Sequence, residues 1–276
     1  MTTRCVLAPP SVSEVPLAMA ATGVAGTRDR KAALGRGPSA RHRVASVVLS
    51  LEDVLPLHLA DVLFPAWHPL HGDTGAVLAF ALRQPTGLLL FETGIGIGNQ
   101  FIDDLYGVQQ HAIDAALATH GHDLDEVQLI VNSHLHFDHC GNNFRFPGVP
   151  IYVQASEYDA TREPYYTVPE WVDFEGAEYA VIEGDAQVAK GVRVLSTPGH
   201  SPGHQSVVFD TADGAVVLAG QAIYSKAEYE QLQATNTVSE NDPPPDPEQY
   251  LASAARLMQL QPRRVHFSHD TAVWEP

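Results

Sequence analysis

Apolar residues fall along this chain in short runs of two kinds, and each kind predicts a different element. Continuous or alternating stretches rich in Val, Leu and Ile predict strands at 44–49, 75–82, 87–91, 127–131, 151–153, 192–195, 207–209, 215–218 and 265–270. Pro85-Thr86-Gly87 and Asp213-Gly214 sit between pairs of these runs and predict hairpin turns, so the N-terminal strands read as an antiparallel meander. Elsewhere the period lengthens. Ile102, Leu105, Val108, Ile113 and Leu117 fall near helical spacing, which predicts one amphipathic helix over 101–119, terminated at His120-Gly121-His122. Further helices are expected from Ser156 and over 248–260. Strands mixed with helices, without internal repeats, place the chain in the α+β class.

The first 43 residues do not share this patterning. They are rich in Ala, Gly, Thr, Pro and Arg, lack aromatics, and read as a flexible basic extension ahead of a domain spanning 44–276. The apolar stretch 15–25 is interrupted by Pro16 and preceded only by Arg4, which makes a poor secretory signal. The formal net charge is −17. Seven of the 16 basic residues but only two of the 33 acidic ones lie in 1–43, leaving nine basic against 31 acidic in the remainder. Such a body repels nucleic-acid phosphates and anionic membranes, and no apolar run is long enough to span a bilayer. The basic extension could instead lie on the acidic body of its own or a neighbouring subunit, so a homodimer is one arrangement to expect. Two cysteines, Cys5 and Cys140, make no disulfide framework and fit a reducing, cytoplasmic setting.

The chemistry concentrates after the run 127–131. In Ser133-His134-Leu135-His136-Phe137-Asp138-His139, three imidazoles and a carboxylate are spaced so that a bent loop can aim two pairs of ligands at two adjacent points. Zn²⁺ suits such mixed N/O donors, and Fe or Mn also fit. Later strands end in Thr197-Pro198-Gly199-His200, with His204 following, in Gly220-Gln221-Ala222-Ile223-Tyr224, and at His269. The run Glu92-Thr93-Gly94-Ile95-Gly96-Ile97-Gly98 lacks the Lys and the helix start of a phosphate cradle. His120 and His122 read as surface residues at the negative end of a helix, with a ligand role as the rival reading. The aromatic segment 158–179 is core or the wall of a substrate pocket, whose shape is expected from 158–179 and 225–247.

Taken in order, the His134-Leu135-His136-Phe137-Asp138-His139 motif, the His200 turn, the Gly220-Gln221 strand end and His269 resemble the metallo-β-lactamase-fold hydrolases over about residues 44–276. Residues 133–140, Glu183-Gly184-Asp185 followed by Gly191-Val192, and 197–206 most resemble the N-acyl homoserine lactonase branch. The resemblance implies a four-layer αββα sandwich with its metal site at one rim. It implies that His134, His136 and His200 hold one metal and that Asp138, His139 and His269 hold a second, with one or two Zn²⁺ per chain. It further implies that Tyr224 lies near a substrate carbonyl, that His204 supports the site, and that Cys140 is buried. The implied reaction is hydrolysis of a small lactone or related ester by metal-bound hydroxide, with Asp138 orienting the nucleophile and passing a proton to the leaving oxygen.

Two positions depart from the family pattern. Gln221 stands where the family has an Asp that bridges the metals, and Glu92 stands where it has an Asp. Two divalent ions about 3.5 to 4 Å apart repel by on the order of 20 kcal/mol at an effective dielectric of about 20, and a neutral amide does not offset this. A weaker second metal is therefore expected. The alternatives are a glyoxalase II-like thioesterase, against which stands the lack of an evident basic pair for a glutathione carboxylate, and a hydrolysis-deficient protein with a binding or biosynthetic role.

Overall fold

The computed structural model describes residues 49–276, except 67, 69, 241 and 242. The basic extension 1–43, Cys5, and all of the strand expected at 44–49 except Leu49 lie outside the described residues. Leu49 makes an isolated bridge with Thr211. Strands β1 (Val54–Leu63), β2 (Thr74–Gln84) and β3 (Gly87–Phe91) form the expected meander, with the turn at 85–86. It opens a seven-stranded sheet with β4 (Gln109–Gln110), β5 (Val127–Val131), β6 (Pro150–Gln154) and β7 (Glu178–Ile182), in the order β4-β1-β2-β3-β5-β6-β7. A six-stranded sheet follows from β8 (Ala186–Ala189), β9 (Val192–Ser196), β10 (Gln205–Thr211), β11 (Gly214–Leu218), β12 (Arg264–Phe267) and β13 (Asp270–Trp274), in the order β13-β12-β11-β10-β9-β8.

The alternation within single strands decides how these sheets stack. Leu89 and Phe91 of β3 join Phe80, Leu82 and Val131 against Val192, Val194, Val207, Phe209, Val216 and Leu218 of the second sheet. The intervening Leu88 and Leu90 face the other way and meet Ile113 and Leu117 of helix α2 (Ile113–Ala118). Val208 and Val217 likewise turn outward, to Tyr229 and Leu232 of α6 (Lys226–Thr235) and Ala254 and Leu257 of α7 (Pro247–Met258). These strands are continuous apolar runs because both of their faces are buried, and the result is the four-layer αββα sandwich. No helix among the described residues is long and apolar enough to cross a membrane.

The helix expected over 101–119 is two helices. Helix α1 (Gln100–Tyr106) stops at Gly107, whose left-handed backbone (φ 53°) donates its N–H to Asp103 O. The chain then runs extended through β4 before α2 begins. The apolar period misled because it serves two cores: Ile102 packs with Ile95, Tyr106 and Phe137, whereas Ile113 and Leu117 cover the outer face of β3. Strands β1, β4, β7, β8 and β13 had no clear signal in the pattern. They lie at or near sheet edges, where one face stays polar, and β1 carries Pro56, His58 and Asp61 and a bulge between His58 and Ala60. Short helices α3 (Phe137–Cys140), α4 (Ala155–Ala160) and α5 (Pro169–Val172) complete the described fold.

Candidate metal centre

Strand direction brings the candidate ligands together. β3 and β5 run parallel, so Glu92 and the 132–139 loop leave the first sheet at one rim. In the second sheet β11 pairs parallel with β12, and β9 runs in the same direction, being antiparallel to β10, which is antiparallel to β11. The ends of β9, β11 and β12 therefore deliver His200, Gln221 and His269 to a common rim. Beyond β5, α3 starts directly after His136, and its first turn carries Asp138 and His139.

The six expected His and Asp ligands converge as two triads. His134 Nε2, His136 Nδ1 and His200 Nε2 lie 2.9, 3.1 and 3.3 Å apart. His139 Nε2 lies 3.2 Å from His269 Nε2, and each is 3.5 Å from Asp138 Oδ2. Ligands about 2.0 to 2.1 Å from a tetrahedral zinc would be roughly 3.3 Å from one another. The far ring nitrogens explain which atoms face inward. His269 Nδ1 lies 3.0 Å from the Ala76 carbonyl, which can only accept, so its proton is on Nδ1 and Nε2 presents a lone pair. His139 Nδ1 faces the buried Glu92 Oε1 at 3.2 Å, an ion-pair distance that turns Nε2 toward Asp138 and His269. Both Nε2 atoms and a carboxylate oxygen thus converge on one point, the disposition of donor atoms that a bound cation would satisfy.

The electrostatics agree. Burial, reinforced by neighbouring imidazoles, holds His134 and His200 well below the ordinary histidine range, so both rings are neutral at pH 7, the form that can bind a metal. Burial and the nearby His139 bring His269 to about 4. At His139 burial is opposed and outweighed by Asp138 and Glu92, which push the imidazole up to about 10. Asp138 is held far below the carboxylate range because His139 and His269 overcome the cost of burying it. The second triad therefore favours positive charge. The donor set and its spacing fit a pair of divalent ions.

Gln221 and Tyr224 lie on the wall of a cavity of about 340 Å³, together with Asp138, His200 and His269. Gln221 is buried, and its side-chain amide makes no hydrogen bond to a described residue; its backbone N–H donates to His204 Nε2 at 2.9 Å. His204 is turned by Thr197 Oγ1, 2.9 Å from Nδ1, and burial takes its imidazole down to about 3, so it props the Gln221 loop as a neutral ring. The Tyr224 ring stacks on His269, with centroids 4.8 Å apart. Cys140 is buried with its thiol on the Leu135 carbonyl, and burial pushes that thiol far up. His120 and His122 stand apart from the centre, against the Pro56 carbonyl and Glu126. The other cavity walls are Val62, Phe64, Leu70, Val77, Tyr106 and Phe137 on one side and residues of α6 and 243–245 on the other. Of the two segments expected to shape this pocket, 225–247 lines it and 158–179 does not. Tyr166 of the latter instead borders a second cavity beyond His136 and His200, and Trp171 packs in the core.

Sequence reasoning missed the residue that ties the first triad together. Glu157 of α4 is fully buried, and Leu135 N–H (2.9 Å), Gly203 N–H (3.0 Å), Ser201 Oγ (2.6 Å) and Tyr166 Oη all donate to its carboxylate. It thereby joins the His134/His136 loop to the His200 turn. An acid within a short helical stretch reads as solvent-facing, so the sequence carried no signal for it. Glu92 is a second such support, with a left-handed backbone (φ 68°) and Oε2 accepting Ser133 N–H at 3.1 Å. Gly94 and Gly96 serve close packing, against Leu59 and against Gly141 and Trp171. Gly141 donates to the Gly94 carbonyl at 2.8 Å, and a Cβ on Gly141 would stand 1.9 Å from Gly96 N.

Comparison with known proteins follows the same division of the chain. The metallo-beta-lactamase superfamily model matches residues 72–269, which include both triads. The N-acyl homoserine lactonase AiiA of Bacillus thuringiensis subsp. kurstaki is 39% identical over 156 residues, and that match covers 54% of this chain. The chain spans 58% of the length of that relative. The N-acyl homoserine lactonase of Bacillus cereus is 35% identical over 210 residues, covering 70% of this chain and 81% of the relative. Among solved structures, an N-acyl homoserine lactone hydrolase with N-hexanoyl-L-homoserine bound at its catalytic metal centre superposes with a TM-score of 0.64 at 28% identity, covering 79% of this chain and 93% of the other. With its sandwich, its rim of converging imidazoles and this match through most of its described length, the chain belongs to the metallo-beta-lactamase superfamily.

Proposed function

We propose that this chain is a metal-dependent hydrolase that opens a small lactone or related ester, with the acylated homoserine lactones of its relatives as the first substrates to try. The observation that carries the reading is the pair of triads, each of which contributes to the wall of a cavity of about 340 Å³ through Asp138, His200 and His269. His134, His136 and His200 hold one ion and Asp138, His139 and His269 the other, with Zn²⁺ as the best match to the donors and Fe or Mn as rivals. Bound divalent metal supplies Lewis acidity at the carbonyl and a water that ionises near neutral pH. Asp138 would orient the attacking water toward the carbonyl carbon and would take up a proton from it as the new C–O bond forms. As the ring C–O bond breaks, Asp138 would pass that same proton to the leaving ring oxygen, which leaves as the alcohol and restores the carboxylate. The Tyr224 hydroxyl donates to the carbonyl oxygen as negative charge develops there. Val62, Phe64 and Leu70 on the same cavity wall suit an apolar acyl chain, and the acidic body suits a small-molecule substrate better than a polyanion.

The test is turnover of a panel of lactones, a thioester and a β-lactam by protein of measured metal content. Lactone opening that disappears with a chelator and returns with added metal is the expected result. No turnover of any member with metal bound refutes the reading. One observation favours a second reading. Gln221 places an unbonded neutral amide at the wall where the resemblance calls for a bridging carboxylate, which suits a hydrolysis-deficient protein with one firmly held ion. Two ions per chain held by the central triads after dialysis would refute that alternative.

A further inference from the structure

A second group of ligand-type side chains lies outside both triads, on the β1–β4 edge of the larger sheet. His58 Nε2 stands 3.0 Å from Asp61 Oδ1 and 3.1 Å from the Ala60 carbonyl, so in the metal-free protein it carries the ring proton that a bound ion would displace, and His111 Nε2 stands 3.1 Å from Asp61 Oδ2. The two rings meet edge to face with centroids 5.0 Å apart, and one ligand atom from each of the three residues lies within 4.8 Å of the others.

This grouping is built by the backbone. In a regular strand, residues three apart point to opposite faces. In β1 the pairing shifts between His58 and Ala60, and the buried positions change parity there, from Leu57 and Leu59 to Ala60 and Val62. The bulge turns Asp61 onto the face of His58, and the two pair with Ala76 and Leu78, residues two apart on β2. The third member arrives on β4: Gln110 pairs with Ala60, and the next residue, His111, donates its N–H to the Leu59 carbonyl at 2.8 Å, at the bulge itself. Two imidazoles and one carboxylate form a ligand set that suits divalent first-row metals. The three side chains are 42%, 40% and 47% exposed, which leaves room for water to complete a coordination sphere.

We propose that His58, Asp61 and His111 form a peripheral binding site for a divalent transition-metal ion such as Zn²⁺, which clips edge strand β4 to the bulge of β1. The site is independent of the central triads and of any hydrolytic activity. Imidazole–carboxylate hydrogen bonding alone would give the same distances without binding metal, so the experiment counts ions. Full-length wild type and the His111→Gln, His58→Gln and Asp61→Asn variants are dialysed against graded free Zn²⁺, their bound metal is measured, and their unfolding temperatures are recorded with and without Zn²⁺. Each variant is expected to bind one equivalent fewer than wild type and to gain less in unfolding temperature from Zn²⁺. The difference between proteins is the readout, so the occupancy of the central triads cancels. Metal-free unfolding temperatures matching wild type establish that the half-exposed substitutions leave the fold intact. Equal stoichiometry in wild type and the variants, or loss of the equivalent in only one of the three, overturns the site.

Discussion

Glu157→Gln probes how much of the first triad's geometry is held by one buried carboxylate. In the native site each carboxylate oxygen accepts two hydrogen bonds, Leu135 N–H and Tyr166 Oη on Oε1, Ser201 Oγ and Gly203 N–H on Oε2. A glutamine keeps one accepting oxygen and turns an NH₂ toward the other pair. Whichever way the amide is oriented, the hydroxyl of that pair can rotate and accept, but its backbone N–H cannot. One buried N–H, of Leu135 or of Gly203, is left facing a donor. An orphaned buried donor costs about 1 to 3 kcal/mol, and the remaining bonds lose the strengthening that a charged acceptor gives them. Part of this is returned, because burial pushes the Glu157 carboxyl above the usual carboxylate range, a sign that its charge is costly to bury. The net expectation is a loss of roughly 2 to 3 kcal/mol, read as a lower urea midpoint at unchanged m-value. Because Leu135 lies between His134 and His136, and Ser201 follows His200, metal affinity at the first triad should fall while the second triad is spared. A change below about 0.5 kcal/mol with unchanged metal binding would refute the clamp; that is the ordinary range for surface substitutions.

Other sites give further expectations. Gln221→Asp places a carboxylate beside both triads, so chelator competition should show a more tightly held second ion; unchanged retention would mean that this residue does not limit metal binding. Tyr224→Phe should lower kcat on any lactone substrate by roughly tenfold or more while bound metal stays constant, the pattern of a lost transition-state donor. Burial, with Arg264 adding to it, takes His266 to about 4. An unfolded imidazole titrates near 6.5, so between these values the unfolded chain binds more protons, and stability falls as pH drops through that window by roughly 3 kcal/mol. His266→Leu should flatten this part of the urea-midpoint profile, and an unaltered slope would count against it. Gly141→Ala should lower the unfolding temperature markedly and loosen metal binding, since its Cβ would meet Gly96 N at 1.9 Å and Ile95 C at 2.6 Å, both backbone atoms.

The sequence by itself determined the central strands and the candidate ligands. Runs such as 87–91 and 215–218 are legible because strands buried on both faces must be apolar at every position, and the turn residues between them mark the hairpins. The His134 to His139 motif is legible because its ligands are packed into one stretch of chain. His200 and His269, each the only ligand its segment supplies, acquire meaning from their order and from family resemblance. What the tertiary structure decided is everything that depends on which distant segments share a boundary. The helix expected over 101–119 breaks because its two halves cover different cores, which local periodicity cannot reveal. Glu157 became a buried clamp because four donors from three other segments converge on it, and its neighbours in sequence give no sign of them. Of the two segments expected to form the cavity wall, 225–247 does so through α6 and 243–245, while the place of the aromatic segment 158–179 is taken by residues of β1, β2 and their connection. His58, Asp61 and His111 became a cluster because a one-residue bulge reversed the parity of an edge strand. Composition and spacing specify which side chains are available to do chemistry; strand direction, register and bulges determine which of them meet.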